Sequence, residues 1–284
     1  GAWGVVRGGM GAITQAMAAC ARERGVEIRT SSAVAKIETD GTGAVSGVRL
    51  ADGERLAAPV VAANTDPKRT LFDLLGREHL PGDFARDLAA FRQESASLRM
   101  NLALAALPEF AALPGRETGP QHRASIVFIE SAAHLDAAYQ SARAGIPANP
   151  PIIEAIIPST LDPGLTEEPG HHVMSLLCKY MPYELAGGGS WDERRESVVD
   201  MIIEHVTRFV PGLRDILLGV QCYTPLDLER TLGMTRGDIC HGRLEPDQLF
   251  SMRPHPQAAQ YAMPVPGLYL CGSGAHPGGG VTGA

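Results

Sequence analysis

The densest chemical signal in this 284-residue sequence is its last stretch, Gly272-Ser273-Gly274-Ala275-His276-Pro277-Gly278-Gly279-Gly280-Val281-Thr282-Gly283-Ala284. It follows Pro266-Gly-Leu-Tyr-Leu-Cys271, a short run that reads as a buried strand. Glycines at a strand-to-helix turn remove side chains, so backbone N–H groups can approach an anionic oxygen closely. A helix opening there adds about half a positive charge. The arrangement suits a pyrophosphate, or the N1–C2=O edge of a flavin, which becomes negative on reduction; the bland alternative is a glycine-rich surface loop.

A second glycine cluster, Arg7-Gly8-Gly9-Met10-Gly11-Ala12, opens a helix after Val5-Val6. As a GxGxxG dinucleotide fingerprint it needs a small residue where Thr14 stands. It also needs an acid for the ribose near Thr30, where none exists. A nicotinamide site is therefore the weakest reading. A plain helix entry and close approach of this backbone to a cofactor or substrate both stay open.

Other signatures are absent. The sequence has no GxSxG elbow, no HExxH, and no GxxxxGK[ST], since none of Lys36, Lys68 and Lys179 follows a glycine. His171 and His172 are adjacent on an expected strand and point to opposite faces, so they read as a solvated strand start and no metal site is expected. His205 falls on an apolar helix face and reads as a satisfied core histidine. His241 and His276 have a site-like setting and are the candidates for a general base.

The elements that must position these groups are legible in outline. Gly11 to Arg24 reads as a helix with Ile13, Met17 and Cys20 on one face and Gly25 as its stop. Val26–Thr30, Ala33–Glu38, Ala44–Leu50 and Arg55–Ala63 read as strands of a small meander, with Asp52-Gly53 as a hairpin turn. Pro67 marks a boundary. Beyond it, helices and strands alternate: a short helix at Phe84–Phe91, then strands at Leu98–Leu104, Ser125–Glu130, Ile152–Ile157 and His172–Cys178. Ser190 with Glu193 forms a capping box for a helix running to about Phe209, and Thr224-Pro225 starts another.

Composition narrows the class. Apolar residues make up 44% and charged residues 20%, the mix of an ordinary globular α/β-type protein. The net charge of −7 argues against nucleic acid as a partner. No apolar run is long enough to span a membrane. The five cysteines are scattered and never spaced CxxC, which points away from a disulfide framework and toward a reducing compartment, hence a cytoplasmic expectation. Both ends look cut: there is no start methionine, and the helix expected after the final glycines never comes.

GLYLCGSGAHPGGGVTGA at the C-terminus resembles the FAD motif of phytoene desaturase-like flavoproteins, and VVRGGMGAITQAMAACARERGVEIRTSSAVAKI is similar to their central glycine-rich helix and following strand. Ile157–Pro163, Lys179–Leu185, His241–Phe250 and Arg253-Pro254 carry the same likeness, which covers nearly the whole chain. The resemblance implies a mixed α/β, two-domain FAD/NAD(P)-binding flavoprotein fold. Residues 1–66 and 265–284 would form an incomplete FAD-binding domain, and 67–264 an inserted substrate domain of sheet plus helices. It implies that Val34 contacts the adenine end of FAD. Gly272, Ser273, Gly274, His276, Pro277, Gly278, Gly279, Gly280, Val281 and Gly283 would run along the pyrophosphate, ribityl chain and ring. Gly8, Gly9, Met10 and Gly11 would lie near the flavin and the substrate.

Two departures matter. The N-terminal strand–GxGxxG–helix of the family is missing, and Ser273 stands where many relatives carry an acid for the ribityl chain. The implied activity is hydride transfer from a C–H or C–N bond of a small, largely apolar organic substrate to FAD. These residues alone are expected to bind FAD weakly or not at all. The parent protein is expected in the cytoplasm, or in the mitochondrial matrix of a eukaryote, with a homo-oligomer possible. The rival class is a non-catalytic ligand-binding or assembly module.

Overall fold

The structure is a computed structural model that describes residues 4–94 and 96–279. Helix α1 (Gly11–Glu23) precedes strands β1 (Val34–Thr39), β2 (Val45–Leu50), β3 (Arg55–Ala57) and β4 (Val61–Ala63). Helix α2 (Gly82–Ala90), strand β5 (Ser97–Leu104), helix α3 (Pro120–Arg123), strand β6 (Ile126–Phe128), helix α4 (Ala132–Arg143) and strand β7 (Ile152–Ile156) follow. Strand β8 (His172–Lys179), helices α5 (Trp191–Thr207) and α6 (Leu213–Ile216), strand β9 (Leu217–Tyr223), helix α7 (Pro225–Leu232) and strand β10 (Leu268–Leu270) complete the order.

The chain divides into two compact units, Gly1–Ile28 with Ser95–Asp227, and Arg29–Glu94 with Leu228–Ala284. These boundaries differ from those expected at 66/67 and 264/265. Leu71, Leu75, Phe84, Leu88 and Phe91 share one apolar cluster with Ile37, Val45, Leu268 and Leu270, so residues 67–94 join the β1–β4 and β10 segments. The segment before Ile28 joins the other unit, where the Gly8 amide meets Asp162.

That first unit is built on a five-stranded sheet in the order β6-β7-β8-β5-β9, antiparallel throughout. Along β5 the pleat turns Leu98, Met100, Leu102 and Leu104 to one face, where all are fully buried. Met174, Leu176 and Cys178 of β8 stand on the same face, and the core they share includes Trp191, Val198, Ile202 and Val206 of α5. The capping box of α5 is present: Ser190 Oγ accepts the Asp192 amide at 3.0 Å and Glu193 Oε2 accepts the Ser190 amide at 3.1 Å. On the opposite sheet face Ser175 Oγ donates to Asn101 Oδ1 at 2.6 Å, and Asn101 Nδ2 to Gln221 Oε1 at 3.2 Å.

Three expectations are corrected here. Val26–Thr30 alternates like a strand but is exposed throughout and bonds to no neighbouring strand among the described residues. The periodic face of α1 is real in sequence, yet none of its residues is buried; Ile13 is 40% and Met17 66% exposed. His205 is buried against Phe209 and His134 as expected of a core position, but its Nε2 has no partner among the described residues, so it is not satisfied.

The second unit carries a three-stranded antiparallel sheet, β1-β2-β3, and the parallel pair β10-β4. Between β2 and β3 lies the expected turn at Asp52-Gly53, where Asp52 Oδ1 accepts the Glu54 amide at 2.9 Å.

Candidate cofactor site

The glycine segment leaves β10 at Cys271, whose amide donates to Ala63 O at 2.9 Å and thereby extends the parallel pairing with β4. Gly272 then turns with φ +80°, and a Cβ there would overlap Asn64 Oδ1. At Gly274 a Cβ would come within 2.8 Å of Pro67 Cδ, and at Gly278 within 2.7 Å of Leu249 Cδ2. The glycines therefore let the turn lie directly on residues 64–67 and 240–249 of the same unit, a packing role separate from any ligand.

Their amides supply the test of fit for an anionic cofactor. The Ala275 amide donates to Gly272 O at 3.0 Å. Those of Gly272, Ser273, Gly274, His276, Gly278 and Gly279 find no protein acceptor among the described residues, and Gly274 and Gly278 are buried. Backbone donors on buried residues usually have an acceptor in folded proteins, so Gly274 and Gly278 are the two positions where an acceptor from a ligand or from water would be accommodated. The residues present fit a group that accepts several hydrogen bonds, as a diphosphate does. Gly280, Val281 and Gly283 lie outside the described residues.

Arg253 holds this segment from beneath. Fully buried, it donates from Nε to Ser273 O at 2.7 Å, from Nη1 to Gln248 O at 3.0 Å and Arg243 O at 3.2 Å, and from Nη2 to Cys240 O at 2.6 Å and Gly242 O at 3.2 Å. Its planar fork reaches five carbonyls that no lysine could reach together. Burial pulls its pKa down, opposed by the charge of Asp238.

Asp238 is itself 5% exposed and accepts the amides of Cys240 (2.9 Å), Gly242 (3.1 Å) and Glu94 (3.1 Å). Burial outweighs these bonds and raises its pKa to about 6. Asp66, also buried, accepts the Arg69 amide at 3.0 Å and the Thr235 hydroxyl at 2.5 Å. Composition and spacing flag none of Arg253, Asp238 or Asp66. Arg253-Pro254 stands out in the sequence only as part of the family likeness.

Of the two histidine candidates, His241 is brought to the glycine segment. Its amide donates to Asp238 O at 3.1 Å, its φ is +56°, and its Cβ lies 3.5 Å from the point where Gly274 would carry one. Its Nδ1 is buried and has no partner among the described residues. Burial lowers its pKa, with Asp66 opposing and Arg253 reinforcing the shift. His276 instead packs edge-on against Tyr261, ring centroids 6.2 Å apart, and the carbonyl of Pro277 accepts the Phe250 amide at 2.9 Å.

Val34 opens β1 opposite Leu50 and is 38% exposed. Gly8 to Gly11 belong to the other unit. There the Gly8 amide donates to Asp162 Oδ2 at 2.6 Å, while Oδ1 of the same carboxylate accepts the Gly164 amide at 3.2 Å. Gly8 and Gly9 both have φ +81°, and Gly9 lies against Leu165.

A family described as flavin containing amine oxidoreductase matches residues 1–86. Along its whole length the chain is 42% identical to pyridine nucleotide-disulfide oxidoreductase domain-containing protein 2 of Rattus norvegicus, of which it covers 50%. It is 26% identical to a phytoene desaturase (lycopene-forming) of a Paracoccus species, covering 53% of that protein. The chain resembles the phytoene desaturase-like flavoproteins. The chain spans about half the length of the curated relatives it matches. Its mixed α/β fold is similar to that of an oxidoreductase from Methanosarcina mazei, with a TM-score of 0.61 over 95% of this chain and 50% of that one at 19% identity. No helix of the described residues is long and apolar enough to cross a membrane.

Proposed function

We propose that this chain is part of an FAD-dependent oxidoreductase that removes a hydride from a C–H bond, oxidising a C–C or C–N bond of a small, largely apolar organic substrate. The observation that carries the reading is the set of amides without a protein acceptor among the described residues at Gly272, Ser273, Gly274, His276, Gly278 and Gly279, two of them on buried residues, directly after a parallel strand. Bound FAD would supply the hydride acceptor.

The chain's own contribution is positional and electrostatic. The amides of Gly272, Ser273 and Gly274, which have no protein acceptor among the described residues, would help to hold the diphosphate of FAD. Arg253 fixes the Ser273 carbonyl and so the orientation of that peptide. Asp162 fixes the Gly8-Gly9 turn, which the family resemblance associates with the flavin and the substrate. Residues 29–94 and 228–284 would form the FAD-binding unit and residues 95–227 the substrate unit.

The protein expressed from its whole reading frame is expected to purify with stoichiometric FAD, read from the flavin absorbance bands and from the nucleotide released on denaturation. These 284 residues alone are expected to hold it weakly, because relatives about twice as long suggest further contacts to the diphosphate. Absence of flavin from the whole protein, even after reconstitution, would overturn the reading in favour of a non-catalytic module.

A further inference from the structure

We infer that the face of the five-stranded sheet opposite α5 holds an anion-recognition patch, in which Arg99 and the hydroxyl of Tyr223 receive the carboxylate of an otherwise apolar organic acid. Naming that acid as the substrate rests on the reading of residues 95–227 as the substrate unit. The chemistry of the patch itself does not.

The pleat sorts the side chains of β5 to two faces. Leu98, Met100, Leu102 and Leu104 belong to the core shared with α5, so Arg99, Asn101 and Ala103 stand on the other side. Register sets their neighbours. Arg99 lies directly opposite Tyr223 of β9 and Leu177 of β8, and Asn101 directly opposite Gln221 and Ser175. Opposed side chains on one face start about 5 Å apart, within reach of one small ligand group.

A hydrogen-bond chain crosses three strands on this face. Ser175 Oγ donates to Asn101 Oδ1 at 2.6 Å, Asn101 Nδ2 to Gln221 Oε1 at 3.2 Å, and Gln221 Nε2 to Tyr223 Oη at 3.2 Å. Every donor points along the chain toward Tyr223, which accepts there and keeps its own O–H to give. Beside it, Arg99 is exposed and makes no hydrogen bond or ion pair among the described residues. Glu154 is on the same face two strands away, but Lys179 holds it at 2.5 Å, so it is no counter-ion for the guanidinium. A guanidinium fork and a hydroxyl donor side by side, with no acceptor of their own, match the two oxygens of a carboxylate.

The rest of the face supplies the apolar complement. Leu177 beside Arg99, Val173 opposite Ala103 and Ile156 opposite Ser175 are half-buried, yet they stand outside the core cluster on the α5 side. A largely apolar surface with a few placed polar groups is how binding sites orient small organic ligands. The hydrocarbon body would lie over β8 while its charged end meets Arg99 and Tyr223.

The test uses protein expressed from the whole reading frame, as wild type, Arg99→Met, Arg99→Lys and Tyr223→Phe. Binding of octanoate and hydrocinnamate, and of their neutral amides, is measured by calorimetry, together with the flavin content and thermal melting of each protein. Phenylglyoxal labelling of Arg99, read by mass spectrometry against the exposed Arg214, reports on the residue itself. Both carboxylates are expected to bind and to slow labelling of Arg99 but not of Arg214. Loss of a charged hydrogen bond weakens binding roughly tenfold to a hundredfold, the effect expected for Arg99→Met and for the amides in wild type. Tyr223→Phe is expected to lose about threefold to tenfold, and Arg99→Lys to fall between wild type and Arg99→Met. Melting temperatures are expected to stay close to wild type, since Arg99 is exposed.

Equal binding of acid and amide, or wild-type affinity in Arg99→Met, overturns the patch and leaves the flavin reading standing. So does binding of neither carboxylate by protein that holds FAD. An Arg99 already unreactive before ligand is added means that protein covers this face, whether another part of the chain or a second copy, and overturns the patch. Melting temperature and affinity lost in parallel in all three variants assign these residues to sheet stability and overturn it too. Carboxylate binding that depends on Arg99, in protein that takes up no FAD on reconstitution, supports the patch and overturns the flavin reading.

Discussion

The Nε of Arg253 donates to the carbonyl of Ser273 at 2.7 Å, so the peptide that opens the glycine turn is held by a side chain with no exposure to solvent. The same guanidinium closes four more carbonyls, of Cys240, Gly242, Arg243 and Gln248. Replacing Arg253 with Met leaves these five acceptors without their donor in a buried place. We expect a loss of about 3 kcal/mol or more in urea unfolding, and Arg253→Lys is expected to recover only a small part of it because an ammonium cannot span the fork. An unchanged denaturation midpoint for either variant would contradict this role.

Asp238 gives the unit a pH dependence whose sign can be worked out. Its folded pKa is raised to about 6 from an ordinary 3.8, so between these values the folded state binds more protons than the unfolded state. Stability attributable to this group is greatest below about pH 4, falls as pH rises through the window, and is constant above about pH 6. The full effect is about 3 kcal/mol at most. Comparing melting temperature against pH for wild type and Asp238→Asn isolates it. The wild-type curve is expected to fall relative to the variant between pH 4 and 6, and parallel curves would refute the assignment. Asp66, Cys240 and Arg253 also act on this carboxylate, so the comparison is made on the difference between the two proteins.

Asp162 binds the Gly8 amide from 154 residues away in sequence. Asp162→Ala is expected to raise hydrogen exchange at Gly8 by roughly tenfold, while global stability changes by about 1 kcal/mol or less, because the contact is exposed. Gly164 loses its side-chain acceptor in the same variant and is expected to follow Gly8. Unaltered exchange at Gly8 would show that the turn is held by its own backbone.

The thiols are expected to differ sharply in reactivity. Cys20 and Cys271 are exposed. Cys178 is fully buried with its pKa driven up by burial, and Cys222 is raised to about 11 for the same reason. Iodoacetamide at neutral pH should label Cys20 and Cys271 first and leave Cys178 untouched until the protein unfolds. Early labelling of Cys178, read by mass spectrometry, would mean that the sheet core opens locally.

Elements specified by neighbours in sequence were the legible part. The capping box at Ser190 and Glu193, the alternation of Leu98 to Leu104 and the Asp52-Gly53 turn each depend on residues within a few positions, and each is present. Thr224 and Asp227 likewise bond reciprocally at the start of α7, Thr224 N–H to Asp227 Oδ2 at 2.8 Å and Asp227 N–H to Thr224 Oγ1 at 3.2 Å. Val26–Thr30 has the right alternation but joins no sheet among the described residues, and alternation alone cannot supply a neighbouring strand. The site divides in the same way. The glycines of the C-terminal turn were visible because composition carries them. Arg253 and Asp238 were not, because burial of a charge depends on carbonyls and amides contributed by distant loops. His241 was visible as a loop histidine; what the sequence does not encode locally is the backbone conformation that aims it.

No residue of helix α1 is fully buried, and Met10 at its cap with Ile13 and Met17 stands open to solvent, followed by Val26 and Ile28. A helix of thirteen residues with none fully buried sits near the length at which an isolated peptide helix is marginal in water. Purified as these 284 residues, the protein should therefore light up environment-sensitive dyes and show oily, concentration-dependent self-adhesion that mild detergent suppresses.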